Sequence, residues 1–335
     1  MAACAGIAVC VALGVTAAPG FAAELGHFAP GVLNIRDFSV PDPGVYLAVY
    51  NYAYTTDRLN DRHGDEVDSV TIGPATLDLD VDFDMYALAP TLIWVSDWKI
   101  LGAKYAAYVS PSFANVSLGA ALTTATGSGR DVDTSGFDVA DLFVQPIWLG
   151  WTLKHFDFAL GYGFYAPVGA YKTENVTLPI LGTIEVEDAN NTGLGFWTNQ
   201  LQGAATWLPF ENKATAVTGV LTWEIHENKQ HFDVNPGQNL SLNWGVSQYL
   251  PLVKDQSLLL EVGPMGYSTW QVSDDRGSDV ADPGVRDYAH AAGGQVGLTY
   301  VPWSLVLNFH ATHEFASQAR FQGTSYTLSL AKKFF

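Results

Sequence analysis

The chain has 335 residues, 48% of them apolar and only 15% charged, where an ordinary soluble domain carries roughly 25% charged residues. Its formal charge of -18 argues against the basic footprint of a nucleic-acid binder, so no nucleic-acid partner is expected. The length suits two ordinary domains or one large barrel, and a chain this poor in charge must either bury a large core or turn apolar side chains toward lipid.

Residues 1–22, MAACAGIAVCVALGVTAAPGFA, contain no charged side chain and end in small residues. This predicts a secretory signal peptide rather than a spanning helix, with cleavage after Ala22 and Ala18 as the other candidate. Export would then follow the general secretion route. Cys4 and Cys10 both fall in this leader, so the mature chain is expected to rest on neither disulfides nor thiolate metal sites. Beyond the leader no run of about 18 apolar residues occurs, which leaves no candidate membrane helix. A membrane protein built without one must be a closed barrel.

Residues 23–43 carry Pro30, Pro41 and Pro43, which prevent regular pairing, and the stretch is too long for a strand lead-in. It is expected to run as a periplasmic tail or to fold into the lumen as a small plug. Asn34, Arg36 and Asp37 are the plug candidates, and Glu224, Glu314 and Asp157 would offer Arg36 its acidic partners.

From Gly44 onward, period-two alternation replaces helical spacing. The predicted strands are 44–56, 81–95, 100–124, 137–152, 155–168 and 192–208, then 213–228, 238–250, 256–272, 287–301, 303–316 and 321–335. Five short turns rich in Trp, Pro and Tyr fall near Asp97, Leu153, Pro209, Leu252 and Pro302. Longer acidic connections lie between them, at 57–80, 125–136, 169–191, 228–237 and 273–286, with a short one at 317–321. This count fits a single-chain barrel of even strand number with both termini periplasmic. The predicted fold is all-β: a transmembrane antiparallel β-barrel of about 12 strands over 44–335, with 10–14 compatible because boundaries shift by a few residues.

Tyr46, Tyr50, Tyr52 and Tyr54 in the first strand would supply an aromatic path if they faced inward. In the later strands, Leu221, Trp223, Leu242, Trp244, Leu307 and Phe309 alternate with polar residues. The expected lumen lining is Asp157, Glu224, His226, Asn239, Ser241, Asn243, Asn308, His310 and Glu314. Trp94, Trp98, Trp148, Trp151, Trp207 and Trp303 flank the short turns, as a girdle at headgroup level requires. The chain closes on Gly323–Phe335, where Phe334 is in phase with Tyr326, Leu328 and Leu330 while Phe335 is not.

The motifs of enzymes are missing or out of place. No G-x-S-x-G elbow occurs, and the glycines of GYGFYA sit in a strand with no helix after them. His310 and His313 point to opposite strand faces, which suits chelation poorly. Ser241, His226 and Asn239 admit a hydrolase triad, but nothing in their spacing favours that over plain lumen lining. No catalytic residue is assigned and the chain is read as not an enzyme. In LDLDVDFDMY, Asp78, Asp80, Asp82 and Asp84 would share one strand face. Such carboxylates repel unless solvated, paired or bound to a cation. A solvated strand extension, a hard-cation (Ca²⁺) site and a cation-selective vestibule all remain open. Asp274, Asp275, Asp279 and Asp282 pose the same choice; no other cofactor is expected.

The segments FAPGVLNIRDFSVPDPGVYLAVYNYAY, DLFVQPIWLGW, FALGYGFYAPVG, PGQNLSLNWGVSQYLP and LTYVPW resemble a bacterial family named for the MetA pathway of phenol degradation. More distantly, the chain resembles outer-membrane channels for hydrophobic compounds that carry an N-terminal plug. The resemblance implies a Gram-negative outer-membrane barrel acting as a passive channel for small hydrophobic or aromatic compounds. Its partners would be outer-membrane lipid, the barrel-assembly machinery and a small-molecule solute. The alternatives are a structural barrel binding cations or polysaccharide, and an outer-membrane hydrolase.

Overall fold

The computed structural model describes residues 25–72, 75–123, 129–178, 182–188, 190–280 and 282–335; the predicted leader lies outside them. Twelve strands close a ring. β1 (Gly44–Thr56) pairs with β3 (Ala75–Ile100) on one side and β17 (Thr324–Lys333) on the other. From β3 the ring runs through β4 (Ala103–Ser110), β7 (Leu142–Thr152), β8 (Phe156–Ala166), β11 (Thr198–Trp207) and β12 (Thr215–His226). It returns through β13 (Asn239–Pro251), β14 (Leu258–Gln271), β15 (Tyr288–Tyr300) and β16 (Leu305–Gln318). Closure leaves these strands without a free edge, the condition for carrying backbone amides through lipid. Tyr46 lies opposite Lys333, so the start of β1 and the end of β17 share one end of the barrel with the short turns.

Alternation sets the two faces. Leu221, Trp223, Leu242, Trp244, Leu307, Phe309, Leu328 and Leu330 are exposed, while Thr222, Glu224, Ser241, Asn243, Asn308, His310, Thr327 and Ser329 are buried. An apolar exterior around a polar interior is the reverse of a soluble domain and fits a lipid surround. Trp94, Trp98, Trp207 and Trp303 are exposed toward the short-turn end.

Three expectations need correction. The first short turn lies at Leu101–Gly102, both with positive φ, rather than near Asp97; Asp97 sits within β3, where its pairing with β4 shifts register. Parts of the acidic connections are strand. β2 (Ser69–Ile72), the first half of β3, β5 (Phe113–Thr123) and β6 (Gly129–Val139) carry the wall beyond the ring, and β9 (Thr173–Leu178) pairs with β10 (Gly182–Glu187). The extension forms because its other face is apolar: Val81, Phe83, Val116 and Leu118 pack with Leu59 and Phe321, and the Phe83 and Phe321 rings stack at 5.0 Å. Finally, Trp148 is only 6% exposed and faces inward. A register shift between Val144 and Ile147 in the pairing with β8 reverses the phase of β7 after Pro146, as a bulge does.

Candidate functional site

Residues 25–43 run inside the ring, hydrogen-bonded to inward side chains of many strands. The stretch turns at Ala29–Val32, where the Val32 amide donates to the Ala29 carbonyl over 3.3 Å. Pro30 and Gly31 hold the two central positions that such a turn favours. Gly31 has φ +79, and a Cβ there would meet the Tyr267 ring at 2.8 Å, so conformation and space both select glycine. Its amide donates to Asn243 Oδ1 over 2.8 Å and its carbonyl accepts from His310 Nε2 over 2.7 Å. Around it, Phe28 N donates to Glu224 Oε1 (2.9 Å), Asn34 Nδ2 to Ser329 Oγ (2.9 Å) and Ile35 N to Gln295 Oε1 (3.0 Å).

Both ends of the stretch are tied by hydrogen bonds to buried carboxylates. Arg36 Nε donates to Ser247 Oγ (2.8 Å) and Glu261 Oε1 (3.1 Å), while its outer nitrogens reach the carbonyls of Lys213 and Ala214. The guanidinium lies 4.0 Å from the Tyr249 ring centroid. Its acidic partner is therefore Glu261, rather than Glu224, Glu314 or Asp157. At the far end His27 Nε2 donates to Asp141 Oδ2 (2.9 Å), and Nδ1 lies 2.7 Å from Thr198 Oγ1. Asp141 stands between β6 and β7 and also accepts from the amides of Gly169 and Leu194. Burial lowers the His27 pKa below 6.5 against the opposing pull of Asp141. Burial pushes Asp37 up to about 6, although Asn34 and the Tyr50 hydroxyl donate to it.

Glu224, His226, Asn239, Ser241, Asn243, Asn308, His310 and Glu314 are all buried on the inner face. Asp157 is half-buried and alternates with the exposed Phe156 and Phe158. Glu314 accepts from the Tyr54 and Tyr267 hydroxyls, and Arg320 pairs with Asp287 at 2.8 Å. The Ser241 hydroxyl bonds to Thr269, whereas His226 bonds to Thr198 and Asn239, so serine and histidine are not paired as nucleophile and base. Asp78, Asp80, Asp82 and Asp84 are exposed on one face of β3. In the second acidic loop, Asp274 pairs with Arg286, Asp275 accepts from Gly237 N, Asp279 from Asp233 N, and Asp282 pairs with Arg62. Among the described residues no group of three or more His, Cys, Asp or Glu is placed to hold a metal ion. Sequence reasoning missed Glu261, whose signal was a lone carboxylate within the apolar run LLLEVG, and also missed His27 and Asp141, which carried no local signal.

The stretch bonds mainly to the β11–β17 side, and open space remains toward β1, β3, β4 and β7. An upper chamber of about 240 Å³ lies among Leu25, Val32, Tyr52, Tyr54, Phe83 and Phe321. A lower one of about 210 Å³ lies among Leu33, Phe38, Ile93, Tyr108, Phe143 and Trp148. They share Phe28, Ala29, Tyr50, Ala89 and Tyr165 as a common waist. Tyr50, Tyr52 and Tyr54 all face inward.

Among solved structures the chain is similar to the COG4313 outer membrane channel from Pseudomonas putida F1, at 15% identity and a TM-score of 0.59, over 90% of this chain and 100% of that one. This likeness places the fold among outer-membrane β-barrels. Weaker likenesses are to the deltaS2S3 mutant of the monoaromatic hydrocarbon channel TodX (10% identity, TM-score 0.41, 88% of this chain and 91% of that one) and to a Pseudomonas aeruginosa FadL homologue (10%, 0.35, 88% and 91%); at these scores they add nothing to the assignment. No curated protein sequence matches the chain. A family profile matches residues 56–330. The closed twelve-stranded ring and that match together identify the chain as a member of the family described as "Putative MetA-pathway of phenol degradation".

Proposed function

We propose that the protein is an outer-membrane channel for passive uptake of small apolar solutes, aromatic ones included, and that residues 23–43 act as its plug. The observation that carries this reading is the pair of adjacent aromatic-lined chambers, both bordered by Tyr50 and Tyr165, beside the N-terminal stretch. Concave, mostly apolar cavities with a few converging polar groups are where small ligands bind. The plug leaves this apolar lane beside it while its polar contacts occupy the opposite wall, so water and ions gain little from the route that an aromatic ring would follow. The family description points toward aromatic compounds as well.

The test is uptake into liposomes carrying the purified protein. Phenol and toluene should enter faster than glucose of comparable concentration, and protein-free liposomes set the background. Equal acceleration of all three solutes would indicate a general aqueous pore, and none would favour a structural barrel. Phospholipase activity lost with Ser241→Ala would instead support a hydrolase.

A further inference from the structure

The five short turns have a composition that the barrel interior does not call for. Hairpin tips ordinarily favour Gly, Asn, Asp and Ser, yet here they expose large apolar side chains. Leu101 is 87% exposed, and Leu153, Phe210, Leu252 and Trp303 are exposed at the other four turns. A lysine stands beside each of them: Lys99, Lys154, Lys213, Lys254 and, at the last turn, Lys332. The Lys332 ammonium lies 5.7 Å from the Trp303 ring centroid and 5.8 Å from that of Phe334. With Lys104 and Lys333, this end holds seven of the chain's nine lysines.

Most of that charge is uncommitted. Among the described residues Lys99, Lys213, Lys254 and Lys332 pair with no carboxylate. Lys154 meets Glu211 at 2.9 Å on open surface, where an ion pair is worth little. At the opposite end Arg58, Arg62, Lys229, Arg286 and Arg320 all have carboxylate partners. The exposed Asp78, Asp80, Asp82 and Asp84 also stand there, so anionic headgroups are repelled from that rim. Lys332 shows where the free cations point. It lies between Leu330 and Phe334 in the outward phase of the last strand, at the lipid boundary. A lysine so placed lays its methylenes on apolar surface and carries its ammonium to headgroup level. Short turns of such barrels face the periplasm, and the leaflet they meet is phospholipid.

We propose that the short-turn rim is a docking collar for anionic phospholipid of the inner leaflet. Lys99, Lys154, Lys213, Lys254 and Lys332 pair with headgroup phosphates, while Leu101, Leu153, Phe210, Leu252 and Trp303 rest among the first acyl carbons. Apolar side chains beside cations are the composition of surfaces that lie in a membrane interface, and they would be wasted on an acidic protein bound below it. A headgroup with net negative charge, such as phosphatidylglycerol, gains from every unpaired ammonium. In phosphatidylcholine the choline cation competes for the same phosphate. The collar is independent of what passes through the barrel.

The experiment reconstitutes the full protein in vesicles and compares spin-labelled phosphatidylglycerol with spin-labelled phosphatidylcholine. The motionally restricted fraction of each label gives its relative association with the barrel. Wild type should favour phosphatidylglycerol about two- to threefold at low salt and less at high salt. The triple variant Lys154→Gln, Lys254→Gln, Lys332→Gln should bring the ratio to about one, whereas arginine at the same three positions should keep it. Lys172→Gln, at the loop end, should leave it unchanged. If the triple variant does not insert, judged by heat-modifiable gel mobility, Lys332→Gln alone should still lower the ratio. Equal restriction of the two lipids by wild type would overturn the collar and leave the lysines to an acidic periplasmic protein. A preference that survives the glutamine variants, or that falls as far in Lys172→Gln, would overturn it too.

Discussion

His27 and Asp37 sit on the same N-terminal stretch and titrate in opposite senses. Burial pushes the Asp37 carboxyl up to about 6, against hydrogen bonds from Asn34 and Tyr50, and the nearby Glu261 adds to the rise. Its contribution to docking is complete below its ordinary pKa of 3.8 and is lost as pH rises through about 6. Burial lowers the His27 pKa from 6.5, so a docked imidazole must stay neutral. Its contribution is complete above pH 6.5 and is lost as pH falls below that value. Between about pH 7 and about pH 5 the two effects oppose one another, and the wild-type stretch should change little. Asp37→Asn removes the carboxyl's share, so hydrogen exchange over residues 28–38, corrected for intrinsic rate, should speed up at the lower pH relative to wild type. His27→Gln removes the imidazole's share and should shift the trend the opposite way. The same pH trend in both variants would mean that these residues do not hold the stretch.

The last strand is the element on which insertion should turn. Phe334 is 53% exposed, in phase with the outward Tyr326, Leu328 and Leu330, and its amide donates to the Val45 carbonyl, which helps close the ring. Phe335 is 85% exposed and out of phase. Phe334→Asp, which puts a charge on the lipid face, should therefore reduce assembly through the barrel-assembly machinery more than Phe335→Asp; equal heat-modifiable mobility of the two variants in outer-membrane fractions would show the register to be wrong. The same alternation made the ring legible in the sequence, since a lipid-facing strand must repeat every second residue. It misled where another rule won. Residues 75–80, the start of β3, were assigned to a connection on composition, yet Leu77 and Leu79 had an apolar partner surface to cover. Trp148 was assigned outward because a bulge at Pro146 leaves no mark on the alternation. The inward polar residues could be read one strand at a time, but their pairing with the N-terminal stretch could not. Gly31 meets Asn243 across 212 positions of sequence, and which inward residues lie at one height depends on strand stagger and on an irregular path.

At the scale of the whole molecule, a charge of -18 with Asp78, Asp80, Asp82 and Asp84 exposed beyond one end of the ring should attract cations to that mouth. The single-channel current should be cation-selective, more so at low salt where screening is weak, and replacing the four by Asn should reduce the preference. An anion-selective wild type would refute the attribution. The current itself should be small while residues 25–43 are docked, because they fill the centre and leave only the apolar lane. Deleting 24–43 behind an intact leader should raise conductance severalfold and remove discrimination between toluene and glucose, since one wall of the lane goes with the deleted stretch. Arg36→Ala should do part of this. It removes the partner of Glu261, whose side chain is 3% exposed, and stranding one member of a fully buried pair costs about 3–5 kcal/mol. Arg36 is partly solvated, so the loss should be smaller and the stretch should undock only part of the time. Glu261→Gln on the same background removes the stranded charge, so the double variant should conduct less than Arg36→Ala alone. If the deletion inserts normally and conducts like wild type, the stretch does not obstruct the barrel in the membrane.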